Sequence, residues 1–285
     1  MVKELDELEK KYRHLCKILK SMGRIIVAYS GGVDSTLLLK AARDTLKGEV
    51  LAVTALSETT AARERRDAIG QARMLGVEHL LVETRDLEQP EFVKNPMDKC
   101  YICKKNRFGM LLKLAKKEGF NFVADGENVD DHQDYRPGIR ATRELGVRSP
   151  LSEADLTKAE IRLISKKLGL PTWNRPSAAC LASRIPYHRK ITPQKLQQVD
   201  AGEAFLNKLG LSSQIRVRHE GRTARLELDP KDISKIAGAR IRKQVVAYFK
   251  SLGFKFVALD LEGYRMGSLN PTRPKSKKNP AKPDK

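Results

Sequence analysis

This chain has few cysteines, few acids relative to bases, and no long apolar run. Four cysteines in 285 residues do not make a disulfide framework, so an apolar core must hold the fold. No apolar run approaches the roughly 20 residues that span a bilayer, so no membrane partner is expected. Residues 1–20 are charged throughout and lack the apolar centre of a signal peptide, so a cytoplasmic chain with reduced thiols is expected. There is no internal repeat. Acid is outnumbered, with 35 Asp and Glu against 55 Lys and Arg and a net charge of +20. That balance fits anionic partners, whether nucleotides, phosphorylated substrates or nucleic acid. A basic surface without a ligand is the plain alternative.

The 40% of apolar residues suffices for a proper core, and the length suggests two domains. Leu5, Leu8, Tyr12, Leu15, Cys16 and Leu19 recur at helical spacing over residues 3–21. Strands and helices then alternate. Strands are expected at Ile25–Tyr29, Val50–Ala55, Glu78–Val82 and Asn121–Ala124, with helices at Ser35–Lys47, Ala61–Leu75 and Lys104–Glu118. This alternation predicts an α/β fold, a Rossmann-like parallel sheet with helices on both faces, whose ligands bind beyond the carboxyl ends of the strands. Thr157-x-x-Glu160 is a capping box that opens one more helix, to Lys167. Pro171 and Pro176 then break the chain, which places a domain boundary at residue 176. Residues 177–269 read as a smaller α+β domain. It has a helix after Thr192-Pro193, a hairpin of Gln214–His219 and Arg222–Leu228, helices within Lys231–Leu252 and a last strand at Phe254–Asp260. Residues 270–285 hold four prolines and six basic residues against one acid, and read as a disordered basic tail.

Ser30-Gly31-Gly32-Val33-Asp34-Ser35 carries the most information. It joins the apolar run Ile25–Ala28 to the helical run at Leu37–Leu39, the geometry that cradles a phosphate. Two adjacent glycines let the backbone approach an anion with no Cβ in the way. Amides of the turn and of the helix start point at the anion, and the helix dipole favours negative charge there. The hydroxyls of Ser30 and Ser35 add donors. No Gly-Lys-Ser/Thr follows at the spacing of a Walker loop.

Cys100 and Cys103 form a Cys-x-x-Cys, and Cys180 stands alone in a segment flanked by Arg175, Arg184, Arg189 and Lys190. Cys16, on the apolar face of the first helix, reads as a small buried hydrophobe. From spacing alone the pair fits a redox couple, half a zinc site or part of an iron–sulfur site. Three thiols fall short of a closed four-ligand zinc site, and nothing in the spacing of His132 makes it a fourth. Positive neighbours favour the thiolate form of Cys180.

The loop resembles that of the ATP pyrophosphatases, which hold the leaving pyrophosphate in Ser-Gly-Gly-x-Asp-Ser. Nearly everything before the tail resembles one family among them, the LarE-type sulfurtransferases of nickel-pincer nucleotide synthesis. The resemblance is carried by the residues from Asn95-Pro96 through Asp98-Lys99-Cys100-Tyr101 to Cys103-Lys104. It continues through Asp125-Gly126, Asn128 and Asp130-Asp131, then Arg136-Pro137-Gly138 and Glu144–Leu151. Cys180-Leu181-Ala182-Ser183-Arg184 and the run from Asp260 through Gly263-Tyr264-Arg265 to Gly267-Ser268 make it specific. The resemblance implies ATP with Mg²⁺, held by Ser30, Gly31, Gly32, Val33, Asp34, Ser35 and Gly126. It implies a substrate similar to pyridinium-3,5-biscarboxylic acid mononucleotide, whose carboxylates are adenylated and converted to thiocarboxylates. It also implies an oligomer.

Some members of that family sacrifice the sulfur of a cysteine matching Cys180. Others carry three cysteines, associated with a 4Fe–4S cluster. Cys100, Cys103 and Cys180 place this chain with the cluster form, so they are the expected metal ligands, with Cys180 also the catalytic cysteine and a sulfide donor as a further partner. Asp34 and the acids of Asp125–Asp131 offer carboxylates to Mg²⁺. Arg216 and Arg218 alternate along one strand and share a face, with Arg222 and Arg225 on the partner strand. With Arg184 they are the candidates for the substrate's anionic groups, a solvated strand face being the alternative. Glu227 lies among them, to tune the site or to pair an arginine. A tRNA thiolation enzyme of the same superfamily is the alternative function, and only under it is nucleic acid the partner. A non-catalytic nucleotide-binding regulator is a third reading.

Overall fold

The computed structural model describes residues 2–133, 137–176, 179–211, 214–265 and 268–269. The expected disordered tail, together with Arg136 and Gly267 of the family-like segments, lies outside the described residues.

The chain opens with α1 (Val2–Met22), β1 (Ile25–Ala28) and α2 (Val33–Leu46), followed by β2 (Val50–Leu56), α3 (Ala62–Met74) and β3 (Glu78–Glu83). A short α4 (Pro90–Val93) precedes α5 (Lys99–Glu118) and β4 (Phe122–Ala124), then α6 (Gly138–Glu144), α7 (Pro150–Glu153) and α8 (Lys158–Lys167). The four strands pair in parallel in the order β3-β2-β1-β4. β1 is central, with Ile26 beside both Leu51 and Val123.

Side chains of β1 alternate between two apolar layers, as the strand period requires. Ile25 and Val27 meet Leu15 and Leu19 of α1, Leu38 of α2 and Ile161 of α8. Ile26 joins Leu51, Val53 and Val123 against Phe108 and Leu111 of α5. Covered on both faces, β1 must be apolar throughout, and each such buried side chain contributes about 1.5–3 kcal/mol. The expected Rossmann-like parallel sheet is present, and its carboxyl edge carries the loop at residues 30–35.

One boundary differs in a way that matters. α5 begins at Lys99 rather than Lys104, so Cys100 and Cys103 sit within its first two turns. Asp98 opens the helix, its carbonyl accepting from the amides of Tyr101 (2.8 Å) and Ile102 (3.3 Å). The short α4 and α7 each start on a proline, Pro90 and Pro150, whose fixed φ suits the first helical position. α8 carries the complete capping box of Thr157 and Glu160.

The second part holds α9 (Pro193–Lys208), β5 (Arg216–Glu220), β6 (Thr223–Glu227), α10 (Ile233–Ala237), α11 (Ala239–Ser251) and β7 (Phe256–Leu259). β5 and β6 form the antiparallel hairpin, and β7 pairs parallel with β6. Its core gathers Leu196, Val199, Val217, Leu226, Phe249 and Phe254, together with Phe92 of α4. Cys103 and Cys180 both pack against this core from its margin. The α4–α5 region therefore brings the Cys-x-x-Cys against the second part.

Candidate active site

The turn between β1 and α2 is shaped by what it excludes. Gly31 has φ +71°, and a Cβ there would stand 2.9 Å from the Cα of Ala68 in α3. Gly126 has a different reason: a Cβ would lie 2.9 Å from the amide nitrogen of Ser35. The chain leaving β4 thus lies directly against the first turn of α2. Gly32 caps α2 without any side-chain cap bond, so no side chain competes for the first-turn amides. The Ser30 and Ser35 hydroxyls lie 3.1 Å apart across the turn. Amides, hydroxyls and a helix N-terminus together make an anion cradle.

A single cleft of about 600 Å³ runs from this cradle to the second part. Ser30, Gly32, Val33, Asp34, Ser35 and Gly126 line one end. Cys100, Cys180, Arg216 and Arg218 line the other. Gly31, Cys103 and Arg184 are absent from its wall.

The acids offered to Mg²⁺ are mostly engaged. Asp34 is ion-paired with Lys158 and accepts from Asn128 Nδ2 at 3.4 Å. Asp125 accepts from Ser149 Oγ at 2.8 Å and from the amide of Glu127 at 3.1 Å. Glu127 pairs with His132 Nε2 at 2.9 Å, far from any cysteine role for that histidine. Asp130 holds the amide of Lys158 at 2.8 Å and so supports the start of α8. Glu127 and Asp131 reach the cleft. Since Mg²⁺ on a nucleotide takes most of its ligands from phosphate and water, one or two carboxylates suffice.

The arginines divide by environment. Arg184 is buried, with Nε and Nη2 on Glu203 at 2.8 and 3.0 Å. Its Nη1 donates to the Cys180 carbonyl at 2.9 Å and to Ser183 Oγ at 3.0 Å. Arg184 is thus spent on holding the Cys180 segment. Arg218 donates to Glu227 at 2.7 Å, to Ser268 Oγ at 2.8 Å and to the Ser183 carbonyl at 2.9 Å, and its buried Nε has no partner among the described residues. Glu227, fully buried, holds Arg225 as well, at 2.9 Å, which makes it a pairing carboxylate. The guanidinium of Arg216 lies 5.0 Å from the ring centre of Tyr264, and burial draws its pKa below the usual guanidinium value. The strand face of Arg216 and Arg218 is therefore the wall of a cleft, not a solvated surface.

The three thiols approach from two sides. Cys100 is exposed into the cleft and Cys180 lines it. Cys103 turns away, its Sγ donating to Asp86 Oδ2 at 3.8 Å. Asp86 is itself paired with Arg107 at 2.6 Å. Burial pushes the Cys103 thiol up to about 12. Among the described residues, no three His, Cys, Asp or Glu side chains are set as a metal-binding group.

Several cleft residues have no assigned role in the sequence reading, among them Lys99, Lys158, Tyr264 and Glu64. Lys99 Nζ donates to Asn95 Oδ1 at 2.7 Å and lies 4.0 Å from the Tyr187 ring centre. The Asn95 amide is fixed by the carbonyls of Ile185, Pro186 and Arg189. Burial pulls the Lys99 ammonium below its ordinary value. Lys158 hides in the sequence as part of a capping box, and Tyr264 within a family-like run. Glu64, in the first turn of α3, is visible only in three dimensions.

No family model matches the chain. It is 38% identical over 273 residues to the pyridinium-3,5-bisthiocarboxylic acid mononucleotide synthase of Lactiplantibacillus plantarum, covering 94% of this chain and 97% of that one. An uncharacterized protein of Synechocystis sp. is 44% identical over 263 residues, 92% and 98% of the two chains. The tRNA-specific 2-thiouridylase of Thermus thermophilus is 30% identical over 198 residues, only 55% of this chain and 53% of that enzyme. Among the described residues, no helix is long and apolar enough to cross a membrane.

Proposed function

The chain belongs to the family of the pyridinium-3,5-bisthiocarboxylic acid mononucleotide synthases, and on that premise we propose that it transfers sulfur, at the expense of ATP, to the carboxylates of pyridinium-3,5-biscarboxylic acid mononucleotide. The family implies use of ATP and Mg²⁺. A carboxylate is a poor electrophile because its leaving group would be oxide. Its oxygen attacks the α-phosphorus of ATP, the bond to the β-phosphate bridge breaks, and pyrophosphate departs. Sulfur then attacks the carbonyl carbon of the acyl adenylate, and AMP leaves with the former carboxylate oxygen. Two rounds give the bisthiocarboxylate.

In this reading Ser30–Ser35 with Gly126 hold the departing pyrophosphate, where fixed amides stabilise the charge as it forms. Asp34 takes the metal ion, and Lys158 is placed to pass from Asp34 to the phosphates. Arg216 and Arg218 meet the substrate's anionic groups, and Arg184 acts through Cys180 by fixing its backbone. The observation that carries the reading is the cleft itself, which joins the anion cradle to Cys180.

We propose Cys100, Cys103 and Cys180 as ligands of a 4Fe–4S cluster. The donor chemistry fits a thiolate-bound cluster, since Cys100 and Cys180 line one end of the cleft and Cys103 follows three residues after Cys100 on α5. Their side chains are not arrayed as a ligand group, so binding requires Cys103 to leave Asp86 and lose its proton. When bound, such a cluster supplies an iron site open to sulfide. A sulfide donor, a homo-oligomeric state, a cytoplasmic setting and a division at residue 176 belong to the same proposal.

The test is anaerobic incubation with MgATP and the biscarboxylate nucleotide. AMP, pyrophosphate and a product in which sulfur replaces carboxylate oxygen are expected. If AMP never forms, the reading fails.

A further inference from the structure

The cleft is built for an anionic ligand, yet it keeps a carboxylate with nothing to hold it. Glu64 lines the cleft from the first turn of α3. The other cleft acids have polar partners: Asp34 has Lys158, Glu127 has His132, and Asp131 accepts the amide of Asn128 at 3.2 Å. Among the described residues, no hydrogen bond or ion pair reaches Glu64. The charges that act on it through space are Arg184, Arg175, Glu203 and Arg216. Arg175 and Arg184 are committed elsewhere, and Arg216 is assigned to the substrate's anionic groups in the function proposed above. Arg175 bonds Asp67 at 2.5 Å and the Gly31 carbonyl at 3.1 Å, and Arg184 bonds Glu203 and Cys180. Arg216 bonds the Ile215 carbonyl at 2.7 Å.

Packing around α3 locates Glu64 along the cleft. One turn further along α3, Ala68 lies against Gly31 of the anion cradle, and just before α3 the Thr59 carbonyl accepts the amide of Leu181, the neighbour of Cys180, at 2.9 Å. Glu64 lines the cleft from the stretch that joins these two contacts, where the ring of an adenylated substrate would sit with one carboxyl facing both ATP and sulfur. Burial holds the Glu64 carboxyl above the usual carboxylate range, as expected of an acid whose charge is incompletely compensated.

We propose that Glu64 is the counter-charge for the quaternary ring nitrogen of the substrate, and so selects a pyridinium over a neutral aromatic ring. This rests on the function proposed above. A pyridinium nitrogen has no proton to donate and no lone pair to accept, so charge is the feature by which a site can recognise it. A wall of arginines and lysines alone would repel it. A carboxylate at the middle of that wall lets the anionic groups and the cationic ring bind at once, and it penalises a neutral ring by leaving Glu64 without a partner.

The experiment is calorimetric titration of the full chain with two ligands. One is the pyridinium biscarboxylate nucleotide, and the other is its isosteric analogue with a neutral benzene ring. Glu64→Gln is expected to weaken binding of the pyridinium nucleotide by about tenfold or more, a loss of roughly 1.4 kcal/mol. Binding of the neutral analogue should be unchanged or tighter, since no charge partner is lost and the unpaired carboxylate is gone. Glu64→Asp, which keeps the charge, should retain part of the preference. An equal loss for both ligands, or no loss for either, overturns the inference while leaving the sulfur-transfer reading intact, provided the wild type still releases AMP. If the wild type binds neither ligand and releases no AMP, both fall.

Discussion

A methyl group on Gly126 would stand 2.9 Å from the amide nitrogen of Ser35, so the exit from β4 and the entry to α2 meet backbone against backbone. Two segments remote in sequence therefore share one wall of the anion cradle, and neither can move without the other. Gly126→Ala is expected to push the loop out of register with the phosphates. Displacements of about 1 Å cost up to a hundredfold in rate, so pyrophosphate release should fall by at least about tenfold. The unfolding midpoint should move by only a few degrees, as a shift of about 1 kcal/mol would produce. A pyrophosphate assay beside a thermal melt checks both.

Arg184 and Arg216 should part company on substitution. Removing Arg184 leaves Glu203 without its bidentate partner and releases the Cys180 carbonyl. Arg184→Met is expected to cost about 3–5 kcal/mol of stability, read in a urea titration. Arg216→Met should keep the fold and raise the apparent KM for the nucleotide substrate by about tenfold or more, the loss of one charge-assisted anion contact. Equal destabilisation by both would count against Arg216 as a ligand group.

The cysteines give a direct chemical test. In protein purified without oxygen, Cys100→Ala, Cys103→Ala and Cys180→Ala should each lower bound iron and sulfide. If all three leave iron unchanged, the cluster proposal is wrong. Mass spectrometry after turnover separates the other route, since a loss of about 34 Da at Cys180, hydrogen sulfide by β-elimination, marks a sacrificed cysteine.

Cys103 also predicts an alkaline signature of the metal-free protein. An unperturbed thiol titrates near 9.0, and burial raises that of Cys103 to about 12. Between those values the unfolded chain holds fewer protons than the folded one, so stability falls as pH rises, by about 1.4 kcal/mol per unit from this group. Below 9 its contribution is constant. Cys103→Ala should flatten the slope above pH 9 in urea titrations at several pH values.

Much of the fold was legible because its signals are local. The apolar run of β1, the capping box at Thr157 and the Gly-rich turn each depend on neighbours within a few residues. The start of α5 was not, because the run from Asn95 to Cys103 holds no apolar periodicity, and the helix is opened by backbone bonds to Asp98. Arg184 was readable as an anion ligand from its charge alone. Its pairing with Glu203 of α9 depends on how the turn after Cys180 packs against that helix, and no local pattern encodes it.

Composition and motif order by themselves determined the sheet, the loop at Ser30–Ser35 and the resemblance, since backbone conformation and the absence of a Cβ are properties of single residues and their neighbours. Tertiary structure alone decided which charges are spent and which face a ligand. Lys158 meets Asp34 and Arg175 meets Asp67 only after the chain has folded, while Glu64 lines the cleft with no ion-pair partner among the described residues. Charge is written in the sequence, but compensation of charge is a matter of distance, and distance exists only in the folded molecule.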